Sequence, residues 1–181
     1  MSHQDNRKYR TILMDPPWPY KDKTLRFGEK RRAGASSAES QYPTLSIEQL
    51  KLLQIPAEDN AYLFLWVTNP FLREGLDLTK AWGFTYKTLL TWLKPSIRLG
   101  YYFRSRTEHI IFATKGKPGR LKRNDLGNVI EAPVLWHSKK PDFIYSLIEK
   151  AVDGPFLELF ARQKTKGWDV WGNEVESDIE L

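Results

Sequence analysis

The run AYLFLWV at residues 61–67 limits this chain more than any other stretch. A strand with one wet face alternates apolar and polar residues. This one does not alternate, so both of its faces need cover, as in the interior of a parallel sheet. The surrounding segments supply both kinds of element. RTILM at 10–14, FTYKTLLTWLK at 84–94, EHIIFATKG at 108–116, GNVIEAPV at 127–134, FLELFA at 156–161 and GWDVWGNEV at 167–175 read as strands. SIEQLKLLQ, residues 71–82 and KPDFIYSLIEKAV read as helices. Ser46 followed by Gln49 has the spacing of a capping box, Gly83 suits a helix C-terminus, and Pro141 suits a first turn. Strands alternating with helices predict an α/β domain: a mostly parallel sheet with helices on both faces. Residues 1–181 read as one domain, with 1–8 as a flexible start and 176–181 as an acidic tail.

The first strand ends in MDPPWPY, residues 14–20. Two prolines cannot start a helix here or extend a central strand, so the stretch is a stiff loop at a strand end. In open α/β sheets ligands bind outside the carboxyl ends of the strands. Asp15, Pro95 and Arg162 each follow a predicted strand and are expected at that rim. The chemistry suits a weak nucleophile such as the exocyclic amine of a base. The Asp15 carboxylate and the Pro16 carbonyl can each accept one N–H, and charge-assisted bonds are the stronger kind. Pro17 stiffens the loop, and Trp18 offers a face for stacking. A base entering such a pocket has to leave the duplex.

The basic charge is uneven. Residues 21–32 carry six basic and two acidic side chains, and KGKPGRLKR at 115–123 carries five basic and none acidic. With RLGYYFRSR between strands, these loops are expected to clamp a phosphate backbone, although a solvated surface explains either cluster taken alone. Residues 21–41 form a long polar loop of the kind used as a lid or binding segment. The chain has no cysteine, which excludes disulfides and thiolate metal sites, and its three histidines lack a ligand spacing, so no metal is expected. No apolar run reaches the ~20 residues of a membrane span. Trp66, Trp168 and Trp171 are expected in the core. Glu158, flanked by apolar residues, needs a partner if buried and is expected beside the site.

Together, DPPW, YPTLSIEQL, YLFLWVTN, TWLK, EHIIFATKG, SKKPDFIYSLIE, LELFAR and GWDVWGNE occur in the order found in one family. The chain resembles the Asp-Pro-Pro-Trp adenine-N6 methyltransferases from about Tyr9 to Val175, in the manner of the compact bacterial or phage members. The resemblance implies a Rossmann-like class I fold dependent on S-adenosyl-L-methionine, with a permuted order: catalytic motif early, cofactor motif late. It implies that Asp15 with Pro16 holds the target amine in a loop set by Pro17, and that Trp18 shapes the base pocket. Tyr42 and Trp92 match residues near the target adenine, and Lys140 one beside cofactor and target. Asp15, Lys140, Glu158, Arg162, Asn173 and Glu174 fall on the cofactor side. Glu174 stands where the family has Gln, and QKTK follows Arg162 where the family has His-Asn. The implied partner is nucleic acid, DNA favoured over RNA. A homodimer or a methyltransferase-like partner is open, and a cytoplasmic setting is expected. The other reading is a nucleic-acid-binding scaffold without turnover, or a subunit needing a partner for activity.

Overall fold

The computed structural model describes residues 7–20, 44–98, 102–133 and 140–181. Seven strands form one sheet: β1 Tyr9–Met14, β2 Ala57–Val67, β3 Thr85–Arg98, β4 Ser105–Lys115, β5 Val129–Glu131, β6 Phe156–Leu159 and β7 Trp168–Trp171. Their order across the sheet is β5-β3-β4-β2-β1-β6-β7. The helices are α1 Ile47–Lys51, α2 Leu72–Ala81 and α3 Phe143–Ala151, and a 3-10 turn at Asn69–Phe71 leads into α2.

The apolar run of β2 is buried on both faces, as its composition requires. Leu63, Leu65 and Val67 join Ile12, Met14 and Leu157 in a core under Leu50 of α1 and Leu78 of α2. Tyr62, Phe64 and Trp66 join Leu13, Ile110 and Phe112 on the opposite face, under Ile144 and Ile148 of α3. Period-two alternation within each strand sorts its residues between these two cores. The capping box forms as its spacing predicts: Ser46 Oγ accepts the Gln49 N–H, and Gln49 Oε1 accepts the Ser46 N–H. Gly83 closes α2 at φ +80°.

The sheet departs from the expected arrangement at β4. The pairs β1–β2, β1–β6, β3–β5 and β6–β7 are parallel, so the sheet is mostly parallel. β4, however, runs antiparallel to both β2 and β3. Val67 at the end of β2 pairs with His109, and Ala61 pairs with Lys115. The start of β4 therefore lies at the same rim as Asp15, and its end lies at the opposite edge.

The basic loop 115–123 follows β4, at the edge away from Asp15. Its Pro118 carbonyl instead accepts hydrogen bonds from Arg10, at the beginning of β1, and from the Tyr62 hydroxyl, each at 2.9 Å. Pro95 lies inside β3 rather than beyond it. Pairing is interrupted between Leu93 and Arg98, where an irregular ladder tolerates a residue with no N–H.

Arg7 and the acidic stretch 176–181 are both tied to the sheet. Arg7 binds Asp169 at 2.9 Å and the Asp178 carbonyl at 2.6 Å. In the acidic stretch, Ile179 is buried in the core and Asp178 Oδ2 accepts the Val170 N–H. Residues 1–6, the loop 21–43 with Tyr42 and the cluster at 21–32, 99–101 and 134–139 lie outside the described residues.

Candidate active site

Strand β1 has β2 on one side and β6 on the other, so the strand order reverses there. Such a reversal opens a crevice at the carboxyl edge. A cavity of about 250 Å³ lies in it, lined by Leu13 and Asp15 of β1 and its loop, Trp66 of β2, Tyr145 of α3, and Glu158, Phe160 and Arg162 of β6 and the turn after it. Lys140 also lines it, from just before α3.

The loop after β1 is stiff in the way its prolines dictate. The Pro16 carbonyl accepts the Trp18 N–H at 2.9 Å, and the Pro17 carbonyl accepts that of Leu45 at 3.2 Å. A carbonyl has two lone pairs, so Pro16 keeps one for a further donor. Trp18 is buried, stacks on Phe71 at 5.2 Å and donates its indole N–H to the Trp66 carbonyl at 3.2 Å. It braces the loop against β2 and does not line the cavity. Trp92 is likewise buried: its indole N–H reaches the Ala132 carbonyl at 2.9 Å, and its ring meets Trp66 edge-on at 6.0 Å. Trp66, expected only in the core, is both a core residue and a cavity wall.

A half-buried ion-pair chain starts at Asp15. Lys140 Nζ lies 3.0 Å from Asp15 Oδ2 and 3.4 Å from Glu108 Oε2, and Lys94 binds Glu108 Oε1. The Lys140 ammonium also sits 5.3 Å over the Trp66 ring. Burial would lower the Lys140 pKa, but Asp15 and Glu108 override it and hold the group well above its ordinary value. Burial would raise Glu108, but Lys140 and Lys94 override that and keep it a carboxylate. Glu108 was not legible in the sequence. It reaches the rim only because β4 is reversed, with Trp92 as its partner in β3. Tyr20, also missed, shares a hydrogen bond of 3.0 Å with Thr68 Oγ1, and burial raises its pKa.

On β6, beside β1, Glu158 accepts the Tyr145 hydroxyl at 3.0 Å. Burial raises its pKa to about 7, with Asp15 adding repulsion. Burial and the Glu158 charge raise the Tyr145 pKa in turn. Phe160 takes φ +63°, a left-handed conformation that is strained for an aromatic residue. This turn places both Phe160 and Arg162 on the cavity wall. It also requires Gly172, where a Cβ would lie 2.2 Å from the Ala161 carbonyl oxygen. Arg162 Nε lies 3.6 Å from Glu174 Oε1. Asn173 and Glu174 are exposed at the end of β7, outside the cavity lining. Among the described residues no group of His, Asp and Glu could hold a metal ion, and no helix is long and apolar enough to cross a membrane.

The donor set fits S-adenosyl-L-methionine. Glu158 and Asp15 can face its positive groups, Lys140 and Arg162 its carboxylate, and Trp66 and Phe160 its apolar surface.

Comparison with known proteins gives the family. The MT-A70 family profile matches residues 9–174. The type II methyltransferase M.MunI of Mycoplasma sp is 35% identical, the match covering 97% of this chain and 82% of that protein. The N(6)-adenosine-methyltransferase MT-A70-like protein of Drosophila melanogaster is 30% identical, over 93% of this chain but 27% of its own length. Human N(6)-adenosine-methyltransferase catalytic subunit METTL3 is 28% identical, over 93% of this chain and 28% of its own length. The chain thus spans about a quarter of these animal relatives and most of the bacterial one. It belongs to the MT-A70 family of S-adenosyl-L-methionine-dependent adenine-N6 methyltransferases.

Proposed function

We propose that this chain methylates the N6 amine of adenine in DNA, with Asp15 and the Pro16 carbonyl as the amine-binding pair. One observation supports the residue roles: Asp15 lines a cavity together with Lys140 and Glu158, and the carbonyl of the next residue, Pro16, keeps a lone pair beyond its bond to Trp18. Two acceptors at this spot take both N–H groups of the amine and turn its lone pair toward the cavity. S-adenosyl-L-methionine, when bound, supplies a methyl group already activated on a sulfonium. The protein's part is therefore alignment and exclusion of water. The amine nitrogen gains the methyl carbon as the carbon–sulfur bond breaks, and the nitrogen then sheds a proton. Asp15 orients and accepts hydrogen bonds; no strong base is needed, because the methylated amine is acidic.

Lys140 bridges Asp15 and Glu108. It fixes the direction of the Asp15 carboxylate. Arg162, Asn173 and Glu174 are assigned to the cofactor's polar groups, and Trp92 supports the Trp66 wall from behind. DNA is favoured over RNA because the relative of comparable length is a type II methyltransferase. The adenosine methyltransferases match over only about a quarter of their length. The test is transfer from labelled S-adenosyl-L-methionine to mixed-sequence DNA and, separately, to RNA, followed by nucleoside analysis. N6-methyladenine in DNA is the expected product. The same product in RNA alone would overturn the choice of polymer, and no product with either would overturn the reading.

A further inference from the structure

The β3–β4 ribbon runs past the edge of the sheet. β2 ends at Val67, opposite His109, and α2 begins five residues later. β3 and β4 continue, pairing Leu93 with Thr107 and Arg98 with Ser105. The base of this arm is well tied: Asn69 Nδ2 donates to the Thr107 carbonyl at 3.1 Å, and Arg106 Nε donates to the Lys94 carbonyl at 3.1 Å. Beyond that base the arm carries Tyr102 and Phe103, 88% and 91% exposed, with Ile97 at 65%. Phe103 and Tyr102 are the two most exposed large apolar side chains among the described residues. Burial would normally hide such rings. From Pro95 to Arg106 the sequence has three arginines and no acid. Glu108, on the Asp15–Lys140 chain, is only five residues from Phe103, so the arm's aromatics lie within about 18 Å of the reacting carboxylate cluster along extended chain.

We propose that Tyr102 and Phe103 form a wedge that enters the base stack of duplex DNA beside the target adenine and holds the duplex open while that adenine occupies the site. This rests on the proposed reaction. An adenine amine inside a duplex is paired, and its base has to leave the stack to reach Asp15. Proteins that unstack a duplex do so with apolar side chains thrust between base steps, next to cations that meet the phosphates. The arm has that composition and stands at the rim where the base has to enter. The arginines complement the DNA charge.

The test compares wild type with Tyr102→Ala/Phe103→Ala and with Tyr102→Phe/Phe103→Trp. Each is assayed on one adenine-containing sequence as duplex, as single strand, and as duplex mismatched at the target. The alanine pair is expected to lose about tenfold or more on the matched duplex, the scale of one lost base–aromatic contact. It is expected to stay within about twofold on the single strand, which also shows that it folds, and to recover on the mismatch. The aromatic pair is expected to keep duplex activity. Equal loss on duplex and single strand, or no loss on either, overturns the wedge. So does a change from dimer to monomer by sizing chromatography accompanied by loss on both substrates, which would make the arm an interface between copies of the chain. Wild type inactive on every adenine substrate would instead overturn the proposed reaction itself.

Discussion

The two edges of the sheet use the same kinds of residue differently. At the carboxyl edge of β1, charges are half-buried and linked: Asp15, Lys140, Glu108 and Lys94 form one chain, with the buried Glu158 lining the same cavity. At the other edge, charges are denser in sequence but exposed and locally settled. Lys122 pairs with Asp153 at 3.0 Å, and Arg123 pairs with Asp125 two residues on. Exposed pairs of this kind contribute little, because water and salt screen them. In the half-buried chain Lys140 and Glu108 each meet two opposite charges, so each keeps one partner when the other is removed. Charge density in the sequence is therefore a poor guide to function here, and burial of a few charges is a better one.

The sharpest way to break this contrast is at Asp15. Asp15→Ala is expected to lower turnover about a thousandfold, the upper scale for removing a preorganised group at a reacting centre. Its melting temperature should stay near that of wild type, because Lys140 keeps Glu108 as a partner. Methyl incorporation and a thermal melt on the same preparation check this. A folded Asp15→Ala enzyme with substantial activity would remove Asp15 from the reaction.

Glu108 comes next. Glu108→Gln keeps the side-chain shape but removes the charge that draws Lys140 away from Asp15. The ammonium then binds Asp15 more tightly and competes with the incoming amine. A charge-assisted hydrogen bond is worth about 1.5–3 kcal/mol, so kcat should fall about 10- to 100-fold. KM for the cofactor should move little. A rise in cofactor KM with kcat preserved would place Glu108 on the cofactor side instead.

What could be read from sequence divides along the same contrast. The fold class, the capping box and the two-faced burial of β2 were legible because each rests on local pattern. The stiff loop at Asp15-Pro16-Pro17 was legible because two prolines after a strand leave few conformations. Glu108 and Tyr20 were not, and the cause is specific. Strand direction is not written in a strand's own residues. EHIIFATKG reads the same whether β4 runs up or down, yet its direction decides which end faces Asp15. Because β4 is reversed, Glu108 at its start reaches the rim and the basic loop after its end does not. Trp18 and Trp92 show a second limit: composition marks a tryptophan as important but does not tell a cavity wall from the layer behind it.

Glu158 gives a smaller, pH-dependent effect. Its pKa is raised from 4.5 to about 7, so the folded protein holds its proton more tightly than the unfolded chain. The stability this adds is fully present below about 4.5 and is lost as pH rises through about 7. Glu158→Gln, which never ionises, should therefore melt above wild type at pH 8.5, with the difference vanishing near pH 4.5. Cofactor binding should run the other way. If the carboxylate faces a positive group of the cofactor, wild-type affinity should weaken several-fold to about tenfold from pH 8 to pH 6, as most of the group protonates. The glutamine variant should show no such slope. Calorimetric titration across this range reads both curves, and a parallel slope in the variant would assign the pH dependence to another group.

The smallest effect is expected at the far edge, and it tests the contrast directly. Lys117 and Arg120 lie beside Gly116, whose φ of +58° and close approach to Asp59 fix the turn at the end of β4. Both side chains are exposed, and they line a shallow depression with Lys87, on the edge away from Asp15. Lys117→Glu/Arg120→Glu reverses two charges, a change of −4 in net charge at one place. If the polymer follows the Asp15 rim alone, kcat/KM on short DNA should change by less than about twofold at moderate salt. That residual belongs to the weakened long-range field of a basic protein, which salt screens over about 10 Å. The slope of log affinity against log salt should then match wild type. A slope lower by about two would mean that two phosphate contacts were lost there, and that DNA reaches round to the far edge. Short duplexes, too small to reach both edges, would then bind the variant normally, and long ones would not. That length dependence separates a wrapped polymer from a general loss of charge.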